Sequence, residues 1–85
     1  MFYTYILRSR KDKKYYFGYT KDLRKRLKEH NLGLVKSTKT RVPFYLVYYE
    51  AYASRQDATK REHNLKLRAK ALRQLVNRIK SSLKA

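Results

Sequence analysis

Aromatic and β-branched residues crowd the start of the chain in two short runs, FYTYILR at Phe2 to Arg8 and YYFGY at Tyr15 to Tyr19, separated by the charged turn SRKDKK. Each run is too short for a stable helix, and the pair predicts a β-hairpin. With a four-residue loop at Ser9 to Asp12, the numbers of cross-strand partners sum to 21, which sets Tyr5 directly opposite Tyr16 with Cβ atoms about 5 Å apart. That pairing is sensitive to register, because a one-residue slip turns every side chain to the other face.

The period then changes. Leu23 and Leu27 stand at i, i+4 after Thr20, a residue suited to cap a helix, and Asn31 and Gly33 are stop signals, so a helix is expected over 21–31. Leu34 to Val42 is a polar, basic connection. Pro43 opens a third strand, Phe44 to Glu50, at the position where a strand tolerates proline. Ser54 with Asp57 forms a capping-box pattern, and Ala58, Leu65, Ala69, Leu72, Val76, Ile79 and Leu83 keep helical spacing from there on. One uninterrupted helix of about 28 residues would be roughly 42 Å long and would overhang a three-stranded sheet, so a break is expected near Arg68 to Lys70. The pattern predicts one α+β domain over 1–85, a three-stranded antiparallel sheet flanked by helices.

Charge changes the picture more than composition does. Of the 85 residues, 23 are Lys or Arg and 6 are Asp or Glu, a formal net charge of +17 spread along the whole chain. A polyanion is the natural partner. At 42% hydrophobic the sequence is not that of a disordered basic arm. It has no cysteine, which excludes disulfides and thiolate zinc sites. No apolar run approaches membrane-spanning length and MFYTYILRSR is not a signal peptide, so a cytoplasmic protein with no membrane partner is expected.

Three polar residues occupy positions that the helical stripes reserve for apolar ones. Arg26 and His30 fall on the stripe set by Leu23 and Leu27, and Glu62, one of the six acids, falls on the stripe through Ala58 and Leu65. Each has an ordinary explanation. Arginine at a stripe margin snorkels to water, a core histidine is commonly hydrogen-bonded structure, Glu62 can pair with Lys66 four residues on, and tyrosines favour strands for packing. Together they converge: two phenols on one hairpin face, an arginine and a histidine on the adjoining helix, and a carboxylate on the next. Arginine's fork suits a phosphate, and a carboxylate can hold Mg²⁺, which takes one or two carboxylates and completes its shell with water and substrate phosphate. That set serves phosphodiester hydrolysis.

These residues carry a specific resemblance. YTYIL at 3–7, YFG at 16–18, then Thr20, Leu23, Arg26 and His30, followed by KRE at 60–62, resemble the GIY-YIG nuclease superfamily, most closely its small stand-alone branch, from Tyr3 to about Asn77. The resemblance implies that Tyr5 and Tyr16 are the motif tyrosines, with Gly18 closing the second triplet. It implies further that Arg26 engages the scissile phosphate, that His30 is the histidine one turn later, and that Glu62 ligates a single divalent metal, Mg²⁺ or Mn²⁺. Asn77 matches an asparagine often found near the site. Two departures stand out: the first triplet is Tyr3, Thr4, Tyr5, without the family's glycine and isoleucine, and Phe17 replaces an isoleucine. Both put the motif's packing in question more than its chemistry.

The expected mechanism has Tyr5 or Tyr16 deprotonating the attacking water. A phenol of pKa about 10 is only about 0.1% ionised at pH 7, so neighbouring cations should assist, with Lys13, Lys14 and His30 as candidates. The expected function is a divalent-metal-dependent DNA endonuclease, structure-selective or weakly sequence-specific, in DNA repair or recombination. With no sequence-reading module, selectivity falls to DNA shape, a protein partner or homodimerisation. The alternatives are a nucleic-acid-binding protein of the same fold with little turnover, acting on DNA or RNA, and a basic ribosome-associated protein, which leaves Glu62 on its apolar stripe unexplained.

Overall fold

The computed structural model describes residues 1–84. Strand β1 (Phe2–Ser9) forms the centre of an antiparallel sheet, between β2 (Tyr15–Thr20) and β3 (Phe44–Tyr52). Helix α1 (Leu23–Asn31) packs on one face, and α2 (Arg55–Leu67), α3 (Ala69–Arg78) and the short α4 (Lys80–Lys84) follow β3. The α+β class and element order are those predicted.

The hairpin register differs from the expected one. Partners sum to 23, so Tyr5 faces Gly18 and Tyr16 faces Leu7. The turn chemistry explains the shift. Ser9 stays in the strand, its Oγ accepting from the Lys11 and Asp12 amides at 3.1 Å each, while the Lys14 amide donates to Asp12 Oδ1. Lys13 takes the left-handed conformation at φ 63°, which closes the turn over Arg10 to Lys13. Because the displacement is two residues, each side chain keeps its face, and Tyr5 and Tyr16 become diagonal neighbours.

β1 and β3 meet with a bulge. Ile6 pairs with Tyr48 but Leu7 with Leu46, so Val47 is the extra residue. The bulge switches the parity of β3. Phe44 and Leu46 join Tyr5 and Leu7 beneath Leu23 and Leu27 of α1, while Val47 and Tyr48 join Ile6, Leu65 and Leu75 on the opposite face. Two small cores therefore lie either side of β1. The family departures fit the second: Phe17 packs there, and the buried Thr4 hydroxyl donates to the Ala58 carbonyl at 2.6 Å.

Helix ends also differ in detail. Asp22, not Thr20, caps α1, accepting from the Lys25 amide, and Thr20 Oγ1 accepts from the Asp22 amide behind it. Ser54 occupies the cap position of α2 in extended conformation but makes no side-chain capping bond, so the Ser54–Asp57 box is not formed. The helical run breaks at Arg68, whose backbone is extended (φ −115°, ψ 103°), within the expected Arg68 to Lys70 window. A continuous helix would not fit a molecule measuring 29 × 27 × 21 Å. The break returns Leu75 and Ile79 to the core beside Leu65, and a bond from Arg8 Nη1 to the Leu83 carbonyl ties the last helix to β1.

Candidate active site

Gly18 determines how the site is built. Its φ is not in the left-handed region, so any residue could adopt its backbone; the constraint is space. A Cβ added at Gly18 would meet Tyr5 Oη at 2.4 Å and Cζ at 2.5 Å. The Tyr5 ring therefore lies flat across β2 and carries its hydroxyl toward the sheet edge, a path only glycine leaves open. Gly18, which closes the second motif triplet, acts sterically on Tyr5.

The Tyr5 hydroxyl lies 3.1 Å from Nε2 of His30, whose Nδ1 is 2.7 Å from Thr38 Oγ1. Tyr5, His30 and Thr38 are all fully buried. His30 is enclosed by aromatic rings, with centroids 5.0 Å from Tyr16 and 5.8 Å from Phe44, and the Tyr5 and Tyr16 rings are 6.4 Å apart. Burial, with Arg26 nearby, pushes the His30 pKa down to about 4, and burial pushes the Tyr5 phenol up to about 12 although Arg26 opposes that rise. His30 is thus a neutral imidazole at pH 7. It is not one of the cations expected to ease phenol ionisation.

Lys13 and Lys14 do not fill that role either. They sit in the hairpin turn, beyond the far end of β1 from Tyr5. The cations beside the phenols are Arg26, whose guanidinium faces the Tyr5 hydroxyl, and Lys66, whose Nζ is 6.0 Å from the Tyr16 ring centre. Lys66 was visible in sequence only as the i+4 partner of Glu62. It makes that ion pair too, at 3.2 Å. Arg26 also approaches Glu29 at 3.5 Å, a long contact on a partly exposed surface.

Glu62 is half-buried and close enough for its charge to act on the Tyr5 phenol. Among the described residues no group of three or more His, Cys, Asp or Glu could hold a metal ion, so Glu62 is not part of a site caged by such residues. A single hard carboxylate suits Mg²⁺ that keeps water and takes phosphate oxygens, and does not suit a metal caged by protein alone. Asn77 is exposed on α3, a helix that packs through Leu75 against Ile6 and Leu65, on the sheet face opposite Tyr5. It is not brought to the cluster.

An open groove of about 1000 Å³ adjoins Arg26 and runs between α1 and the sheet, with Tyr3, Tyr19, Tyr49, Lys21 and Arg24 among its walls. A second polar cluster lies on the other face. Glu50 accepts from Tyr48 Oη at 2.6 Å, from the Tyr52 hydroxyl, and from Arg61 Nε at 3.0 Å. Against the cost of burial, these donors hold the Glu50 carboxyl below its usual range. The clue in the sequence was an acid between aromatics at i±2 in a strand. Asn31 was read only as a stop signal, yet it clamps β3 to α1, its amide accepting from the Phe44 N–H at 2.6 Å and donating to the Phe44 carbonyl at 3.0 Å.

The sequence matches the family model for the GIY-YIG catalytic domain over residues 1–78. It is 45% identical over 65 residues to a UPF0213 protein of Streptococcus pneumoniae, covering 75% of this chain and 65% of that one. It is 40% identical over 79 residues to a UPF0213 protein of Staphylococcus aureus, covering 89% and 95%. The solution NMR structure of a UPF0213 protein from Bacillus halodurans superimposes with a TM-score of 0.55 at 39% identity, over 91% of this chain and 84% of that one. The chain therefore belongs to the GIY-YIG catalytic domain family, whose members are in general endonucleases acting on nucleic acid.

Proposed function

We propose that the protein is a divalent-metal-dependent endonuclease that hydrolyses phosphodiester bonds in DNA, structure-selective or weakly sequence-specific. The observation that carries this reading is the meeting of Tyr5, Tyr16, Arg26, His30 and Glu62, drawn from four separate elements, next to an open groove that Arg26 lines with Lys21, Arg24 and Lys25. In the proposed roles Arg26 binds the scissile phosphate, and a motif tyrosine takes the proton of the attacking water. Mg²⁺ held by Glu62 would supply charge neutralisation at the leaving oxygen. Phosphate contacts by the +17 surface would dominate affinity and make it strongly dependent on salt. A role in DNA repair or recombination and homodimerisation belong to the same proposal.

Two observations favour the alternative of a nucleic-acid-binding protein with weak turnover: the Tyr5 phenol at about 12, and a Glu62 carboxylate already paired with Lys66. Glu62→Gln separates the two. On a panel of duplex, nicked, flap and single-stranded DNA, the nuclease reading expects Mg²⁺- or Mn²⁺-dependent cleavage by the wild type, lost in the variant while DNA binding survives. Wild-type protein that binds every substrate and cleaves none would leave the binding reading standing.

A further inference from the structure

Thr38 stands alone in its surroundings. The connection from Leu32 to Thr40 is otherwise exposed or half-buried and basic, yet Thr38 is fully buried, with its hydroxyl 2.7 Å from His30 Nδ1. A buried β-branched alcohol in a polar loop needs a partner for its oxygen, and His30 is that partner. What the contact decides is the tautomer of the ring. A neutral imidazole carries one N–H, and the partner of one nitrogen dictates the role of the other.

Two features agree on the assignment. The other acceptor near the Thr38 hydroxyl, the Val35 carbonyl, is 3.4 Å away, beyond an ordinary hydroxyl hydrogen bond, so the Thr38 proton is best directed to Nδ1 at 2.7 Å. The remaining contact, His30 Nε2 to Tyr5 Oη at 3.1 Å, is in the range of an N–H donor and long for a phenol O–H donor. A phenol oxygen that accepts from Nε2–H directs its own proton away from His30.

We propose that Thr38 is a positioning residue that donates to Nδ1 of His30 and so fixes the imidazole as an Nε2–H donor to the Tyr5 oxygen. His30 in this arrangement does not receive the phenol proton. It remains neutral and, once the phenol has given up its proton to solvent, stabilises the negative charge on the Tyr5 oxygen, the state in which that oxygen could take a proton from the attacking water. The opposite tautomer would point the Tyr5 proton into the protein, away from any substrate. The catalytic part of this inference rests on the nuclease reading; the tautomer does not.

The test is long-range ¹H–¹⁵N spectroscopy of the imidazole in wild type, Thr38→Ser and Thr38→Val, beside cleavage of the best DNA substrate with Mg²⁺. The expected result is a protonated Nε2 and bare Nδ1 in the wild type and in the serine variant. In the isosteric valine variant the Nδ1–H form should appear, and cleavage should fall about tenfold, the order of one neutral hydrogen bond, with serine restoring it. A wild-type ring protonated at Nδ1 overturns the proposal, as does a folded valine variant whose ring is unchanged. If the valine variant does not fold, the wild-type spectrum still decides. Absence of cleavage by wild type beside an Nε2–H ring would sink the nuclease reading alone.

Discussion

Replacing Gly18 by alanine adds one methyl group at the most constrained point of the site. The clash is with Tyr5 Oη at 2.4 Å and Cζ at 2.5 Å, and the ring cannot simply swing aside because it is fully buried and its hydroxyl is held at His30. Overpacking of this kind costs typically about 1–3 kcal/mol. Alanine is otherwise the better strand residue, by roughly 0.5–1 kcal/mol in backbone entropy. The sign should therefore depend on what occupies position 5. Leucine there keeps apolar bulk but lacks the atoms that collide. Urea unfolding followed by circular dichroism over the cycle wild type, Gly18→Ala, Tyr5→Leu and the double variant should show Gly18→Ala destabilising in the first background and neutral or stabilising in the second. The expected coupling is about 2 kcal/mol, within the range for residues in contact. Equal cost in both backgrounds would show that Gly18 is kept for some reason other than the path of the Tyr5 ring.

Two further outcomes concern the end of α1. His30 has a folded pKa of about 4 against 6.5 for an ordinary histidine. Between those values the unfolded chain binds a proton that the folded chain refuses, so the stabilisation is full above pH 6.5 and falls as the pH drops toward 4, by about 3 kcal/mol in all. Chemical denaturation at a series of pH values should show this slope in wild type and lose it in His30→Gln; an unchanged slope in the variant would assign it to another group. Asn31→Ala should cost about 1–3 kcal/mol, because it leaves both backbone groups of the buried Phe44 unpaired. Amide exchange in the β3 start and the end of α1 should accelerate together, and protection unchanged there would refute the clamp.

Much of the candidate site was legible because its residues break a pattern. Arg26, His30 and Glu62 interrupt apolar stripes, and a local period is enough to expose such an interruption. Lys66 and Thr38 break no pattern. A lysine at i+4 from a glutamate and a threonine in a basic loop are ordinary, and each matters only because a distant element comes to rest against it. Lys13, Lys14 and Asn77 come to rest away from the Tyr5–His30 cluster, since nearness along the chain or to a motif does not measure nearness in space. His30 was located correctly but given the wrong charge: a sequence places a histidine and says nothing of the burial that sets its pKa.

The elements, their order, the face of every strand residue in the hairpin and the helical break near Arg68 were determined by local patterning, which is a property of neighbouring residues and survives a two-residue error in register. The register itself was settled by Ser9 and Asp12 folding the turn, and the consequences of that register are tertiary. It puts a glycine rather than a tyrosine opposite Tyr5, and so lets the Tyr5 ring cross β2 to reach His30. Hydrogen-bond partners, burial and the protonation of His30 depend on which remote segments exclude water from the same point, and no period along the chain encodes that.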